Sequence, residues 1–367
     1  MVQKLTEKGY LQLIHQVEPN FDDLESKYIV DYLNSGGWAT ENKVTKEFEQ
    51  KIADYVGMEY AVAVTSGTVA LYLAVLSLNL KKGSMIAVPN LTMVATINAI
   101  LWAGHVPVIV DTDEDLCLSL ESLKKVDKIS ALMYVPLNGK SGNSVEIKNY
   151  CKEKEIYLIE DSAHALGSKY ENLKNCGSIG DLSVISFTPH KIITTGQGGM
   201  VLTNDTDYYN FLIQMKSFNR TKDKSDFHEG FGLNFKFTDL QATIGISQFS
   251  KLENFIDQKK RIQKYYNETL SSNKFDLVQF SEHELPWFNT VRLKDNNIDE
   301  LVNFLSSKNI ETRTLYPPLH TQKYLADYVN VDVSSSLETF EKYLWLPSST
   351  KLTNDEIDYI SSTLNSF

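Results

Sequence analysis

The chain of 367 residues is long enough for one large domain and a smaller one, and its formal net charge is −11. That charge argues against nucleic acid as the main partner, because a protein that binds a phosphate backbone needs a basic surface. The three cysteines have no metal-ligand spacing and are odd in number, which favours reduced thiols in a cytosol over a disulfide framework.

Neither a targeting segment nor a membrane span is predicted. The first ten residues lack the apolar core of a signal peptide. The most apolar stretch, residues 97–110, is interrupted by Gly104, His105 and Pro107, so it is not expected to cross a membrane. We therefore expect a cytoplasmic protein.

Strand-like and helix-like segments alternate through the first two hundred residues. Apolar residues at helical spacing predict a helix over 44–56, which Gly57 ends. Apolar runs predict strands at 60–64, 85–88, 106–110, 129–135, 156–159, 182–187 and 199–203. Further helices are expected at 69–78, 92–102, 118–125 and 145–154. This alternation predicts an α/β fold with a mostly parallel central sheet and helices on both faces.

Residues suited to ligand binding follow four of these strands. They are the turn Thr65-Ser66-Gly67-Thr68, then Thr92, Asp161 and Ser186. Ligands of parallel sheets bind beyond the carboxyl ends of the strands, so we expect these residues to meet. The Ser-Gly-Thr turn opens a helix, where a phosphate binds well, although an ordinary N-cap by Ser66 or Thr68 is the alternative.

Asp161 and His164 follow the predicted strand at 156–159. A carboxylate at the edge of a buried sheet needs a strong partner, because an unpaired buried charge is very costly. A protonated heterocyclic nitrogen, an arginine or a helix N-terminus would each serve Asp161. For His164, a packed and hydrogen-bonded histidine and a ligand-binding one are both consistent with the sequence.

The segment from Ser186 to Met200 joins two predicted strands and contains Lys191 and three glycines. Glycines there allow positive φ angles and close approach of the backbone to a ligand. A lysine at a strand end is placed to lose its hydration, which lowers the pKa of the amine and makes it a nucleophile toward carbonyls. A glycine-rich turn with a solvated lysine is the alternative.

The pattern of predicted helices and strands changes in the remainder of the chain. Helices are expected at 208–215 and 238–270, with a polar, mobile or interface loop at 219–231 between them. On the long helix, Lys259, Lys260 and Arg261 are expected to face solvent. A strand at 287–293 and helices at 298–307, 338–343 and 354–364 predict a smaller α+β domain. We therefore expect a large domain at 20–250 and a smaller one at 251–367 that also holds residues 1–19.

Nine short motifs, in order along nearly the whole chain, resemble the pyridoxal-phosphate (PLP)-dependent sugar aminotransferases of the DegT/DnrJ/EryC1/StrS family. They are Ser35-Gly-Gly-Trp38, Thr65-Ser-Gly-Thr-Val-Ala-Leu71, Pro89-Asn-Leu-Thr92, Val94-Ala-Thr96, Glu160-Asp-Ser-Ala-His-Ala165, Ser186-Phe-Thr-Pro-His-Lys191, Thr195-Gly-Gln-Gly-Gly199, Gly232-Leu-Asn-Phe-Lys236 and Leu319-His320. The resemblance implies the aspartate-aminotransferase-like fold type I. It also implies the cofactor PLP and its pyridoxamine form.

The family's roles map onto matching positions. Lys191 resembles the lysine that binds the cofactor covalently, and Asp161 resembles the residue that keeps the ring nitrogen protonated. His164 stands near the ring hydroxyl, Met93 at the ring face, and Asn234 where a residue reaches the cofactor phosphate from a neighbouring subunit. The resemblance thus implies a homodimer with shared sites. The further residues expected at the phosphate are Ser66, Gly67, Thr68 and Ser186, and those expected at the substrate are Trp38, His190, Arg313, Tyr316 and His320.

Three positions depart from the family pattern. Met93 replaces a common aromatic residue, which predicts weaker stacking on the ring rather than lost binding. Gln197 replaces a common glutamate, and Leu137-Asn138 replaces a frequent histidine-containing segment before Gly139. The last two departures concern the substrate pocket and not the cofactor chemistry.

The resemblance implies transfer of an amino group from an amino-acid donor, glutamate, to a keto group of a nucleotide-linked deoxysugar. The stretch Lys191-Ile-Ile-Thr-Thr-Gly196 is similar to members that act at C4 of a 4-keto-6-deoxysugar, such as perosamine synthases. Two alternatives stay open. A 3-dehydratase of the same family carries histidine in place of the lysine, and a non-catalytic binding protein uses the same scaffold. No metal site is predicted.

Overall fold

Seven strands form the larger β-sheet in the computed structural model, which describes residues 13–221, 226–271, 273–294, 297–328 and 332–367. They are β1 (Tyr60–Val64), β2 (Met85–Pro89), β3 (Val106–Val110), β4 (Ala131–Tyr134), β5 (Tyr157–Asp161), β6 (Leu182–Ser186) and β7 (Gly199–Thr203). Their spatial order is β1-β7-β6-β5-β4-β2-β3. All neighbouring pairs are parallel except those of β7, which is antiparallel to β1 and β6. The predicted, mostly parallel sheet is confirmed.

Helices lie on both faces of this sheet, as predicted. The helices of the described chain are α1 (Asp23–Asn34), α2 (Lys43–Val56), α3 (Gly67–Ser77), α4 (Val94–Trp102), α5 (Leu120–Leu123), α6 (Ser144–Glu153), α7 (Thr206–Met215), α8 (Asp239–Phe249), α9 (Leu252–Thr269), α10 (Ile298–Ser307), α11 (Ser334–Lys342) and α12 (Asn354–Ser366). Side chains of β1 alternate between two apolar clusters, with Val62 and Val64 in one and Ala61 and Ala63 in the other. A strand points successive side chains to opposite faces, so both faces need a covering layer.

The buried helix α3 sets the position of the functional site. Nine of its eleven residues are buried, because the sequence Val-Ala-Leu-Tyr-Leu-Ala-Val is apolar on every side. It packs against β7 and β6, the second and third strands of the sheet counted from β1. Its N-terminus therefore lies at the edge of the sheet where the parallel strands end.

A second, four-stranded sheet belongs to the smaller C-terminal domain. Its strands are β8 (Phe275–Leu277), β9 (Thr290–Leu293), β10 (Arg313–Thr314) and β11 (Tyr343–Trp345), in the antiparallel order β10-β11-β9-β8. Side chains from α9, α10 and α12 pack into one core with this sheet. A smaller α+β domain is thus confirmed. Its division from the large domain at residue 250 stays a prediction, and residues 1–12 of the N-terminal segment lie outside the described residues.

Several element bounds were predicted wrongly. The single helix expected over 238–270 is two helices, α8 and α9, separated at Ser250 and Lys251. Helix α1 was not predicted, and β9 begins at Thr290 rather than at residue 287. The loop at 219–231 stays a predicted mobile or interface segment, and its residues 222–225 lie outside the described residues. Within the described chain, no helix combines the length and apolarity needed to cross a membrane.

The prediction for Lys259 was also wrong. Lys260 is exposed as expected, but Lys259 is buried, with only 3% of its surface exposed to solvent. The buried face of α9 explains the difference: it carries Leu252, Phe255, Ile256, Lys259, Ile262 and Tyr266. These residues recur every three or four positions, which is the spacing of one helix face. Lys259 lies on that buried face, although its charged side chain favoured a position in solvent.

Gly199 allows β7 to begin against the N-terminus of α3. A Cβ atom at this position would lie 2.5 Å from the carbonyl carbon and oxygen of Ser66 and 2.6 Å from the nitrogen of Gly67. We expect Gly199→Ala to lower the free energy of unfolding by about 1–3 kcal/mol, because backbone must move to admit the methyl group. Denaturant unfolding followed by circular dichroism measures this change.

Gly83→Ala is the matched control, since a Cβ at Gly83 meets no atom within 4 Å and adds only the strain of a positive φ. If Gly199→Ala destabilises the chain no more than Gly83→Ala, the crowding argument is wrong. Displacement of Ser66 and Gly67 in Gly199→Ala should also weaken binding of a ligand at the start of α3, whereas Gly83→Ala should leave that binding unchanged.

Candidate active site

A pocket of about 340 Å³ lies where β1, β2, β4, β5 and β6 end. This is the edge at which open parallel sheets bind their ligands. The predicted site residues that line it are Ser66, Gly67, Thr68, Met93, Asp161, His164, Ser186, His190, Lys191, Arg313 and Tyr316. Positions far apart in the sequence, from both sheets, thus meet in one cavity.

One end of the pocket is suited to an anion. The hydroxyl of Ser66 caps α3 by accepting a hydrogen bond from the backbone N–H of Val69 at 3.2 Å. The earlier N–H groups, those of Gly67 and Thr68, have no acceptor within the helix and line the cavity. A Cβ at Gly67 would lie 3.0 Å from Cβ and Oγ of Ser186, so glycine keeps this cradle open. The N-cap by Ser66 is confirmed and is compatible with anion binding at the same turn, which stays a prediction.

Asp161 ends β5 as a buried carboxylate. One oxygen accepts a hydrogen bond from the hydroxyl of Thr96 at 2.7 Å, and the other accepts from the backbone N–H of Ala163 at 3.3 Å. Burial raises its pKa, while these two hydrogen bonds and the charge of Lys191 act in the opposite direction. Such a carboxylate favours a cationic or protonated partner within the cavity.

Lys191 follows β6 in a loop of residues 187–198 and extends its amine into the pocket. Burial lowers the pKa of this amine to about 7, although Asp161 opposes the shift, and the nearby Arg313 lowers it further. The Nζ atom lies 4.2 Å from the ring centre of Trp287. The lowered pKa favours the unprotonated amine, which is the form that acts as a nucleophile toward carbonyls.

His164 is both packed and part of the pocket. Its ring packs against that of Trp287, tilted by 34° and with 3.7 Å between ring centres, and its Nε2 lies 3.3 Å from the hydroxyl oxygen of Tyr316. Burial, with the charges of Lys191 and Arg313, holds its pKa well below the usual range. His164 is thus neutral at pH 7. The packed and hydrogen-bonded alternative for His164 is confirmed, and its ligand-binding role stays a prediction.

A model of the DegT/DnrJ/EryC1/StrS aminotransferase family matches residues 19–365. The chain belongs to this family. It is 32% identical over 367 residues to the GDP-perosamine synthase of Escherichia coli O157:H7, covering 97% of this chain and 99% of that protein. The predicted aminotransferase activity and its dependence on PLP are confirmed by this membership.

Two solved structures share the fold of this aminotransferase. Helicobacter pylori PseC, an aminotransferase involved in the biosynthesis of pseudoaminic acid, superimposes with a TM-score of 0.91 at 22% identity, over 97% of this chain and 100% of that one. The E. coli GDP-4-keto-6-deoxy-D-mannose-3-dehydratase with bound hydrated PLP superimposes with a TM-score of 0.88 at 25% identity, over 96% and 100%. The fold alone therefore does not separate transamination from dehydration.

The pocket of this aminotransferase fits PLP. The start of α3 and Ser186 would hold the phosphate, Asp161 the ring nitrogen, and Lys191 the aldehyde. The bound ring supplies an electron sink for the amino-acid carbanion, and the chain supplies orientation and proton transfer. Among the described residues, no group of three or more His, Cys, Asp or Glu side chains is placed to hold a metal ion.

Three predicted site residues do not line this pocket. Trp38 is 76% exposed, and Asn234 is also exposed and forms an isolated bridge with Ser217. His320 instead pairs with Asn90, with 2.8 Å between His320 Nδ1 and Asn90 Nδ2. The roles of these three residues stay predictions.

The positions that depart from the family pattern lie in different parts of the structure. Met93 lines the pocket, and its sulfur accepts a hydrogen bond from the N–H of Ala95 at 3.0 Å, so it also caps α4. Gln197 lines the pocket as well. Asn138 is buried with a φ of 57° and does not line the pocket. Its side chain accepts from the N–H of Phe288 at 2.8 Å and thereby fixes the segment that carries Trp287.

Two residues of the site were not predicted from the sequence. Thr96 belongs to the motif Val94-Ala-Thr96, which by itself indicates no role for it, and its hydroxyl donates a hydrogen bond to Asp161. Trp287 was assigned to a strand, yet it precedes β9 and its ring lies against Lys191 and His164. The only local signal for Trp287 is an aromatic pair after Leu285-Pro286, which is equally typical of a core.

Proposed function

We propose that this chain moves an amino group from L-glutamate to the C4 keto group of a nucleotide-linked keto-deoxysugar, for surface polysaccharide or glycoconjugate biosynthesis in the cytoplasm. The observation that carries the proposal is an amine with a pKa lowered to about 7, Lys191, in one pocket with the buried carboxylate of Asp161. The likeness to GDP-perosamine synthase over nearly the full length supports a nucleotide sugar and C4.

Each pocket residue then has a role that its geometry suits. Asp161, already held by Thr96, keeps the ring nitrogen of bound PLP protonated. Lys191, once free, would take the proton from the Cα of the amino donor as a general base and deliver it, as a general acid, to the cofactor carbon that carried the aldehyde. A pKa near the working pH suits both steps, because the amine gains and loses its proton readily there.

The 3-dehydratase remains the second candidate, since one of the structural relatives carries that name. Such relatives carry histidine at the position of the lysine. In this chain the Nζ of Lys191 lies beside Trp287, whereas His190 is exposed at the pocket rim and its carbonyl accepts a hydrogen bond from the indole N–H of Trp287 at 2.7 Å. These positions favour transamination. A non-catalytic role would predict a colourless protein that gains no visible absorbance with PLP.

A homodimer with shared sites is part of the proposal. Trp38, Phe227 and Phe231 each expose more than two thirds of their surface, which is unusual for large apolar side chains. Asn234 is exposed in the same polypeptide region as the two phenylalanines. We expect Asn234 of the partner subunit to reach the cofactor phosphate, and light scattering of the loaded protein would test the dimer.

The proposed reaction is tested with a panel of 4-keto-6-deoxysugars linked to GDP, UDP, dTDP or CDP. Each is incubated with the PLP-loaded protein and glutamate, and the product is read by mass spectrometry and by NMR at C4. We expect one nucleotide sugar to gain an amine at C4 with formation of 2-oxoglutarate. Loss of the C3 hydroxyl without a new amine would favour the dehydratase instead.

A further inference from the structure

Lys259 is a buried amine without an ionic partner. Lys259 lies on α9, and only 3% of its surface is exposed to solvent. None of the ion pairs among the described residues involves it. Its Nζ donates hydrogen bonds to the carbonyl oxygens of Trp287 and Ser348, both at 2.6 Å. Burying an amine without hydrogen-bond partners costs free energy, and these two hydrogen bonds offset that cost. They also tie Lys259 to the backbone at Trp287 and Ser348.

One of those bonds fixes the backbone of the residue that covers Lys191. The ring of Trp287 lies 4.2 Å from the Nζ of Lys191 and 3.7 Å from the ring of His164, and its indole N–H donates to the carbonyl of His190 at 2.7 Å. Lys259 and Lys191 also border the same small cavity, of about 10 Å³. A chain of direct contacts therefore runs from Lys259 through Trp287 to the reactive amine.

From this geometry we propose that Lys259 is a positioning residue: it holds Trp287 against Lys191 and so keeps water away from the reactive amine. The assignment rests on the proposed role of Lys191. The titratable and charged groups that interact electrostatically with Lys191 are Asp161, Arg313, His164 and His190. None of them is among the causes that lower the pKa of Lys259, which is lowered by burial. Lys259 thus acts through packing of the indole and not through direct charge repulsion.

Lys259→Met tests the proposal, because methionine preserves length and burial but cannot donate to the two carbonyls. The full-length chain without cofactor is pulsed with acetic anhydride across a pH series, and labelling of Lys191 is quantified by peptide mass spectrometry. We expect the labelling midpoint to rise from near 7 by about one unit or more, since a displaced indole lets water solvate the ammonium form. Lys260→Met, at an exposed neighbour on α9, is the matched control and should leave the midpoint unchanged.

The route through Trp287 is tested in a double-variant cycle. In a Trp287→Ala background, Lys259→Met should add no further shift of the Lys191 midpoint, because its intermediary is gone. In the loaded enzyme, Lys259→Met should lower kcat about tenfold while KM for the nucleotide sugar stays within about twofold. A full additional shift in the Trp287→Ala background would overturn the proposed route.

An unchanged midpoint in folded Lys259→Met would show that Lys259 only stabilises the fold, and the proposal would fail. If that variant does not fold, Lys259→Leu, which also lacks a hydrogen-bond donor, is judged by the same midpoint. The labelling experiment contains no sugar and no amino donor. It therefore succeeds or fails independently of the panel that tests the proposed function.

Discussion

Replacing Lys191 with alanine is expected to abolish turnover, with kcat falling about 10⁴-fold or more. The substitution removes the amine that binds the cofactor aldehyde and the group that carries the proton. PLP and the nucleotide sugar should still bind, because the start of α3, Ser186 and Asp161 are unchanged. Product formation by mass spectrometry measures the first effect, and calorimetric titration measures the second.

The matched control is Lys260→Ala, which removes an exposed lysine on α9 and should leave the rate unaltered. Borohydride treatment of the loaded wild-type protein should fix PLP on the peptide that contains Lys191 and on no peptide of the Lys191→Ala variant. Amination that persists in Lys191→Ala would refute the role of this residue. If Lys191 stays unlabelled, the dehydratase becomes the favoured function, because that enzyme does not hold its cofactor covalently at rest.

The second large effect is expected at Asp161. Asp161→Asn keeps the shape of the side chain and an acceptor for Thr96, but it removes the negative charge that favours a protonated ring nitrogen. We expect kcat to fall about 10²- to 10³-fold and PLP to bind more weakly. Asp161→Ala should act in the same direction and also leave the hydroxyl of Thr96 without its acceptor. Rates under saturating PLP and dissociation constants from visible absorbance separate the two effects.

Thr96→Val is the control for Asp161, because it removes one hydrogen bond to the carboxylate while keeping the charge. Its rate should fall less than tenfold, since the N–H of Ala163 still orients the group. An unchanged rate in Asp161→Asn would mean that the ring nitrogen is paired elsewhere. Equal losses in Thr96→Val and Asp161→Asn would mean that orientation, rather than charge, is what Asp161 provides.

Other features of the site depended on distant parts of the chain. Trp287 lies beside Lys191 although about a hundred positions separate the two residues in the sequence. The buried amide of Asn138 and the amine of Lys259 hold the backbone of the segment that carries Trp287. An aromatic residue after a proline gives no local sign of such a contact. Lys259 itself could have been placed correctly, because it shares the helical spacing of Phe255, Ile256 and Ile262. Its charge favoured an exposed position, but its register on the helix decided its burial.

By itself, the sequence determined the strands, the polar residues that end them and the lysine that follows β6. Those features are local, since apolar runs, glycines and helix caps act within a few residues of one another. Only the tertiary structure decided how the amine at Lys191 is desolvated and which residues achieve this. That outcome depends on residues from the C-terminal part of the chain, because the ring of Trp287 lies 4.2 Å from the Nζ of Lys191 and Arg313 lines the same pocket.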